Sequence, residues 1–138
     1  MSNIFFELVT PEGILFSGEI EYMKAPGVEG EFGIYPNHVP FFTLLKEGII
    51  EFKPFQQNYY EYFFLSNGVF EFNENKMTIL AEEAFSGRII DKSDEKKAEK
   101  EIIAQIEKTG SEMKLEAKLR RVQLRIRTRE LTEKTDRQ

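Results

Sequence analysis

The sequence predicts an α+β protein, with an N-terminal antiparallel β-sandwich over residues 1–86 and a C-terminal two-helix antiparallel hairpin over residues 87–138. All of the 13 Phe and 5 Tyr fall in the first part, where apolar and polar residues alternate at period two. Examples are Ile50 and Phe52 against Glu51 and Lys53, and Tyr60, Tyr62 and Phe64 against Glu61. After Arg88 the aromatics vanish and the apolar period becomes helical. Charge divides near the same place: residues 1–90 carry five basic groups against thirteen glutamates, and residues 91–138 carry fourteen basic against eleven acidic groups, within a net charge of −5. Such asymmetry predicts two parts with different partners.

In the first part turn chemistry recurs at short intervals: Pro11-Glu12-Gly13, Pro26-Gly27, Pro36-Asn37, Glu47-Gly48, Pro54, Asn67-Gly68 and Asn73 to Asn75. The spacing predicts nine or ten short strands. Asn67-Gly68 is the sharpest turn signal, because both residues tolerate the positive φ of a tight hairpin.

The helical part opens with Asp91 or Ser93 as N-cap and continues with Ala98, Ile102 and Ile106 at four-residue spacing, Ile103 widening the face. Gly110-Ser111 breaks the pattern, and a second helix runs from about Glu112 into the 130s. At about 100° per residue, Leu115, Leu119, Val122 and Ile126 form one stripe, expected to face the first helix. Met113, Ala117, Leu124 and Leu131 form a second stripe on the opposite side, and Lys114, Lys118, Arg121, Arg125 and Arg129 occupy one flank between them. Burying one Leu or Ile contributes roughly 1.5 to 3 kcal/mol, whereas ordering the backbone costs about 1 to 2 kcal/mol per residue. A hairpin this small therefore needs an external docking surface, and its docking should be reversible.

Composition excludes several chemistries. There is no cysteine for a disulfide, a thiolate metal site or a nucleophile, and a single histidine rules out a histidine-rich metal centre. MSNIFFELVT lacks the pattern of a secretion signal, and no apolar run approaches a membrane span. The sequence thus predicts a soluble protein that stays in the compartment where it is made.

The stretch EGEFGIYPNHVP, residues 29–40, gathers paired carboxylates, glycines and the single histidine. Gly27, Gly30 and Gly33 lack the Lys-Ser/Thr ending of a phosphate loop and precede no helical pattern. Glu29 and Glu31 read as solvated carboxylates, and His38, held between Pro36 and Pro40, has no nucleophile to serve. The basic flank of the last helix suggests an acidic protein surface as partner, not nucleic acid, since the whole chain is acidic and carries no recognition motif.

In order and spacing, Thr10-Pro11-Glu12, Leu15 to Glu19, Ala25-Pro26-Gly27, Glu29 to Ile34, Pro36 to Pro40, Leu65 to Gly68 and Thr78 to Ala84 resemble the epsilon subunit of F-type ATP synthases. The resemblance covers most of residues 8–85; the helical tail agrees in architecture and length but weakly in sequence. It implies a non-catalytic rotor subunit whose sandwich holds the gamma subunit and rests on the c-subunit ring, with Glu29, Glu31, Phe32 and His38 on the contact surface. It also implies a hairpin that either folds on the sandwich or extends along gamma into the catalytic head. There Lys114, Lys118, Arg121, Arg125 and Arg129 would meet the beta (and alpha) subunits and inhibit ATP hydrolysis.

On this resemblance the protein sits at the cytoplasmic face of a bacterial membrane, or the thylakoid equivalent, and touches the membrane only through the complex. No cofactor or metal is implied. In some family members ATP binds between the helices as a regulatory ligand through Ile-Asp-x-x-Arg-Ala. Here Ile90 and Asp91 match that motif, Asp94 stands where its arginine belongs, and Lys97, Arg121 and Arg125 are the substitutes. The competing readings are a stand-alone ligand-binding sandwich with a helical lid, and a small hydrolase using Glu29, Glu31 and His38.

Overall fold

The computed structural model describes residues 3–137; residues 1, 2 and 138, at the outer ends of the two predicted parts, lie outside the described residues. Nine strands come first: β1 (Ile4–Thr10), β2 (Gly13–Gly27), β3 (Gly30–Ile34), β4 (Phe41–Leu45), β5 (Gly48–Pro54), β6 (Glu61–Leu65), β7 (Gly68–Asn73), β8 (Lys76–Ala81) and β9 (Ala84–Ser86). Two helices follow, α1 (Lys92–Thr109) and α2 (Met113–Asp136).

The strands run in the order β1-β8-β7-β4-β2-β5-β6-β9, with β3 and β1 also paired to β2. The fifteen-residue β2 is longer than the alternation suggests, because one strand serves both layers. Its first half pairs with β1; past an irregularity between Ile20 and Tyr22 it pairs with β5, and its last residues pair with β3. A bulge of this kind lets a strand bend from one layer into the other. All pairings are antiparallel except β1 with β8.

Alternation places one side of each strand inside. Phe6, Phe52, Phe70, Phe72, Ile20, Ile50 and Ile79 are essentially without solvent contact. Phe6 and Phe52 meet edge to face at 5.1 Å, and Phe32 packs on Phe70 in the same way at 4.9 Å. These offset geometries suit the ring quadrupole and add to area burial.

Asn67-Gly68 does not form the predicted hairpin. β6 pairs with β5 and β9, β7 pairs with β4 and β8, and neither Asn67 nor Gly68 has a positive φ, so this segment crosses between layers. Gly68 is required by proximity instead: a Cβ there would lie 2.6 Å from the Leu80 carbonyl oxygen. The tight hairpin sits one turn later, between β7 and β8, where Glu74 (φ 50°) and Asn75 (φ 60°) both take the left-handed conformation.

Asp91 caps α1 by accepting a hydrogen bond from the Asp94 N–H at 3.1 Å, and Gly110 (φ 88°) ends the helix. α1 packs chiefly on α2, and none of its residues is fully buried. Ala98, Ile102 and Ile106 are half-buried, whereas Ile103 is exposed and does not widen the packed face. α2 lies between α1 and strands β5 and β6. The two stripes fare differently: Leu115, Val122 and Ile126 of the first are buried, whereas in the second Met113 is exposed and Ala117, Leu124 and Leu131 are half-buried.

Candidate functional site

The first surface is the end of the sandwich built by residues 27–45. Glu29 sits in the turn between β2 and β3, and Glu31 on β3 lies 3.9 Å from Lys24 with its side chain mostly in solvent. Both line an open groove of about 510 Å³ with Phe41, Phe42 and Leu44, the last two well exposed. Phe32 also lines it, but its ring is half-buried against Phe41 and Phe70, so it shapes the groove from within.

His38 lies outside the groove lining, on the exposed loop between β3 and β4. Its ring edges contact Phe41 and Phe72, and Nδ1 lies 2.7 Å from the Val39 carbonyl oxygen. That loop is pinned at Asn37 (φ 68°): Asn75 accepts from the Asn37 backbone N–H at 2.6 Å and donates to the Asn37 side chain at 3.0 Å. The arrangement separates His38 from the two glutamates and presents a rigid rim with apolar and acidic character. This is a surface suited to contact, not a set of groups converging on one reacting atom.

The second surface is the basic flank of α2, and the structure splits its five residues. Lys114 and Lys118 are exposed. Arg121 pairs with Glu47 at 3.5 Å, and Arg125 pairs with Glu95 of α1 while lying over the Phe64 ring at 5.6 Å. Arg129 pairs with Glu133 at 3.4 Å and donates to the Gly87 and Arg88 carbonyls at 3.2 and 3.1 Å. Three of the five cations thus have partners in the folded arrangement. Sequence reasoning missed Glu47 and Glu95, which are distant in the chain from the arginines they meet, and also the local pair of Arg129 with Glu133 one turn on.

Between the sandwich and α1 lies a cavity of about 440 Å³ lined by Glu83, Phe85, Ile90, Asp91, Asp94, Glu95 and Arg125, among others. Ile90, Asp91 and Arg125 come together here; Lys97 and Arg121 do not line it. Four carboxylates face one guanidinium that Glu95 already engages. Such a lining repels a polyanion and does not suit a nucleotide triphosphate.

Sequence reasoning also missed the polar side of α2 that meets the sandwich. Thr128, Thr132 and Thr135 are 0%, 2% and 4% exposed. Their spacing continues the second apolar stripe of Ala117, Leu124 and Leu131, and that continuation was the available signal. Among the described residues no helix is long and apolar enough to cross a membrane, and no metal-ligating cluster occurs.

Fold and surfaces together define a class: a β-sandwich carrying a docked helical pair. A family model described as ATP synthase, Delta/Epsilon chain, beta-sandwich domain matches residues 3–87, and the chain belongs to the epsilon subunit family of F-type ATP synthases. It is 35% identical over 130 residues to the ATP synthase epsilon chain of Nitratidesulfovibrio vulgaris (strain DP4), covering 92% of this chain and 96% of that one. It is 47% identical over 83 residues to the ATP synthase epsilon chain of Maridesulfovibrio salexigens, covering 60% of this chain and 57% of that one. Among solved structures, a chain of the Euglena gracilis mitochondrial ATP synthase (OSCP/F1/c-ring) has a similar fold, with a TM-score of 0.70 at 19% identity, covering 97% of this chain and 81% of that one. A chain of the Tetrahymena thermophila mitochondrial ATP synthase central stalk and c-ring follows at 0.56 and 18%, covering 93% of this chain and 97% of that one.

Proposed function

We propose that this epsilon subunit couples rotation in the central stalk of the ATP synthase and that its helical pair restrains ATP hydrolysis when it leaves the sandwich. The sandwich end around Glu29, Glu31, Phe32 and His38 is the contact surface for the gamma subunit and the c ring. Through them the subunit sits at the membrane as a peripheral, non-catalytic part. The geometry supports this: a rigid, turn-rich rim with exposed Phe42 and Leu44 transmits force, and no acid–base pair converges there.

The observation that carries the regulatory half is the engagement of Arg121 by Glu47 of the sandwich, of Arg125 by Glu95 of α1 and of Arg129 by the Gly87 and Arg88 carbonyls. Folded, these contacts occupy the cations. Released and extended, α2 offers them, with Lys114 and Lys118, to an acidic surface of the catalytic head. A ligand or partner shifts such an equilibrium only by its differential affinity for the two states.

The test is ATP hydrolysis by the reconstituted complex with the full chain and with a chain ending near Arg88. Faster hydrolysis with the shortened chain is expected; equal rates would leave the sandwich as a coupling element alone. Charge reversal at the exposed Lys114 and Lys118 probes the flank without touching the folded ion pairs, and unchanged inhibition would remove these two lysines from the contact. A stand-alone ligand-binding sandwich would fail to co-purify with gamma and the catalytic subunits.

A further inference from the structure

We infer that Asn37 and Asn75 are positioning residues for the contact surface: their side chains pair across two loops and hold the turn that carries His38 as a preformed rim. Their role rests on the reading of that rim as a contact surface, and it brings the β7–β8 turn into the machinery that shapes it.

Tyr35, Pro36, Asn37 and His38 form a turn closed by the His38 N–H, which donates to the Tyr35 carbonyl at 3.3 Å. Proline stands at its second place, and Asn37 at its third has a φ of 68°. Glycine is the default at such a third place, because it carries no Cβ to oppose a positive φ. Asn75 takes a φ of 60° in the β7–β8 turn, again where glycine would be free of strain. Both turns thus carry asparagine where backbone geometry alone favours glycine, and the two amides meet. Asn75 Oδ1 accepts from the Asn37 backbone N–H at 2.6 Å, and Asn75 Nδ2 donates to Asn37 Oδ1 at 3.0 Å. One side-chain amide uses both its acceptor and its donor on a residue 38 positions away in the chain.

The brace is itself anchored. The Asn75 carbonyl accepts from the Phe5 N–H at 2.9 Å, which ties the β7–β8 turn to β1. The His38 ring lies edge-on to Phe72 of β7 at 6.0 Å, so β7 and the turn after it hold two successive residues of the loop. At the start of the loop the Tyr35 ring packs on Tyr22 at 5.4 Å. Between these points the apolar tips remain free: Tyr35 is 63% exposed and Val39 69%. Exposed tips on a held backbone bind without first having to be ordered, and a contact that passes torque needs such a backbone.

Asn37→Gly and Asn75→Gly each remove the amide pair while keeping a positive φ accessible. Asn37→Asp keeps both bonds, since its backbone N–H still donates to Asn75 and its carboxylate still accepts from it. On the full chain, either glycine variant should speed amide exchange at residues 37–39 about three- to tenfold, with β4 and β7 unchanged. The double glycine variant should be no worse than either single one, because both remove the same pair. Binding to ATP synthase stripped of this subunit should weaken by a similar factor in the glycine variants and stay within about twofold of native in Asn37→Asp. Unchanged exchange in the glycine variants would overturn the brace. Faster exchange with unweakened binding, or an Asn37→Asp defect equal to that of Asn37→Gly, would overturn its positioning role. Val39→Asp and Phe42→Asp change the exposed rim and leave the amide pair in place. If they weaken binding and the glycine variants do not, the brace fails alone; if none of these variants does, the contact reading fails and takes the positioning role with it.

Discussion

The sandwich and the helical pair are buried by different means. The sandwich closes over phenylalanines and branched aliphatics with almost no solvent contact, while α1 has no buried residue and half of the six buried residues of α2 are threonines. The first is a dry core whose disruption creates cavities. The second is a layered contact held by one apolar stripe, hydroxyls and ion pairs, and such regions open at lower free energy than the global fold. One chain thus contains a densely packed body and a more thinly packed one.

The largest way to break the contrast is inside the sandwich. Phe52→Ala removes a fully buried ring touching Phe6, Phe16 and Phe63, and should cost about 3 to 5 kcal/mol in urea-unfolding stability, taking both parts down together. Ile126→Ala, in the stripe at the helix pair, should cost about 2 kcal/mol and be read in faster amide exchange of α1 and α2 with the sandwich unchanged. A loss of sandwich protection there would show that the two parts are one cooperative unit.

Smaller effects sharpen the contrast. Asp91→Ala removes the α1 cap and should cost about 1 kcal/mol, seen as fraying of the first turn. Acidification should loosen the contact between the helices at Lys92 and Glu133. A hydrogen bond from Lys92, and then the charges of Lys92 and Arg129, hold the Glu133 carboxyl below its ordinary value of 4.5. Because the folded value is depressed, the contribution of Glu133 is present above that ordinary value and is lost as pH falls through the folded one. Exchange of α1 and α2 amides against pH checks the loosening. Last, calorimetric titration with ATP should give no heat, given the four carboxylates around Arg125.

Much of this architecture was legible beforehand. The strand-to-helix change, the Asp91 cap, the Gly110 break and the stripe of Leu115, Val122 and Ile126 all follow from periodicity and local backbone preference. Asn67-Gly68 was misread because a turn signal says that the chain bends, not which strand receives it; partner choice rests on pairings distant in sequence. Of the contact candidates, Glu29, Glu31 and Phe32 line one groove, with the Phe32 ring also packed on Phe70, and His38 stands on a separate loop pinned by Asn75.

By itself the sequence determined what is local and periodic: where strands give way to helices, which faces are apolar, where charge changes sign, and which chemistries the composition forbids. Only the tertiary structure decided how β2 serves two layers, how closely α2 approaches Gly87, and which carboxylates meet Arg121 and Arg125. Those are distances between residues far apart in the chain. They depend on the packing of whole elements, which no short window of sequence encodes.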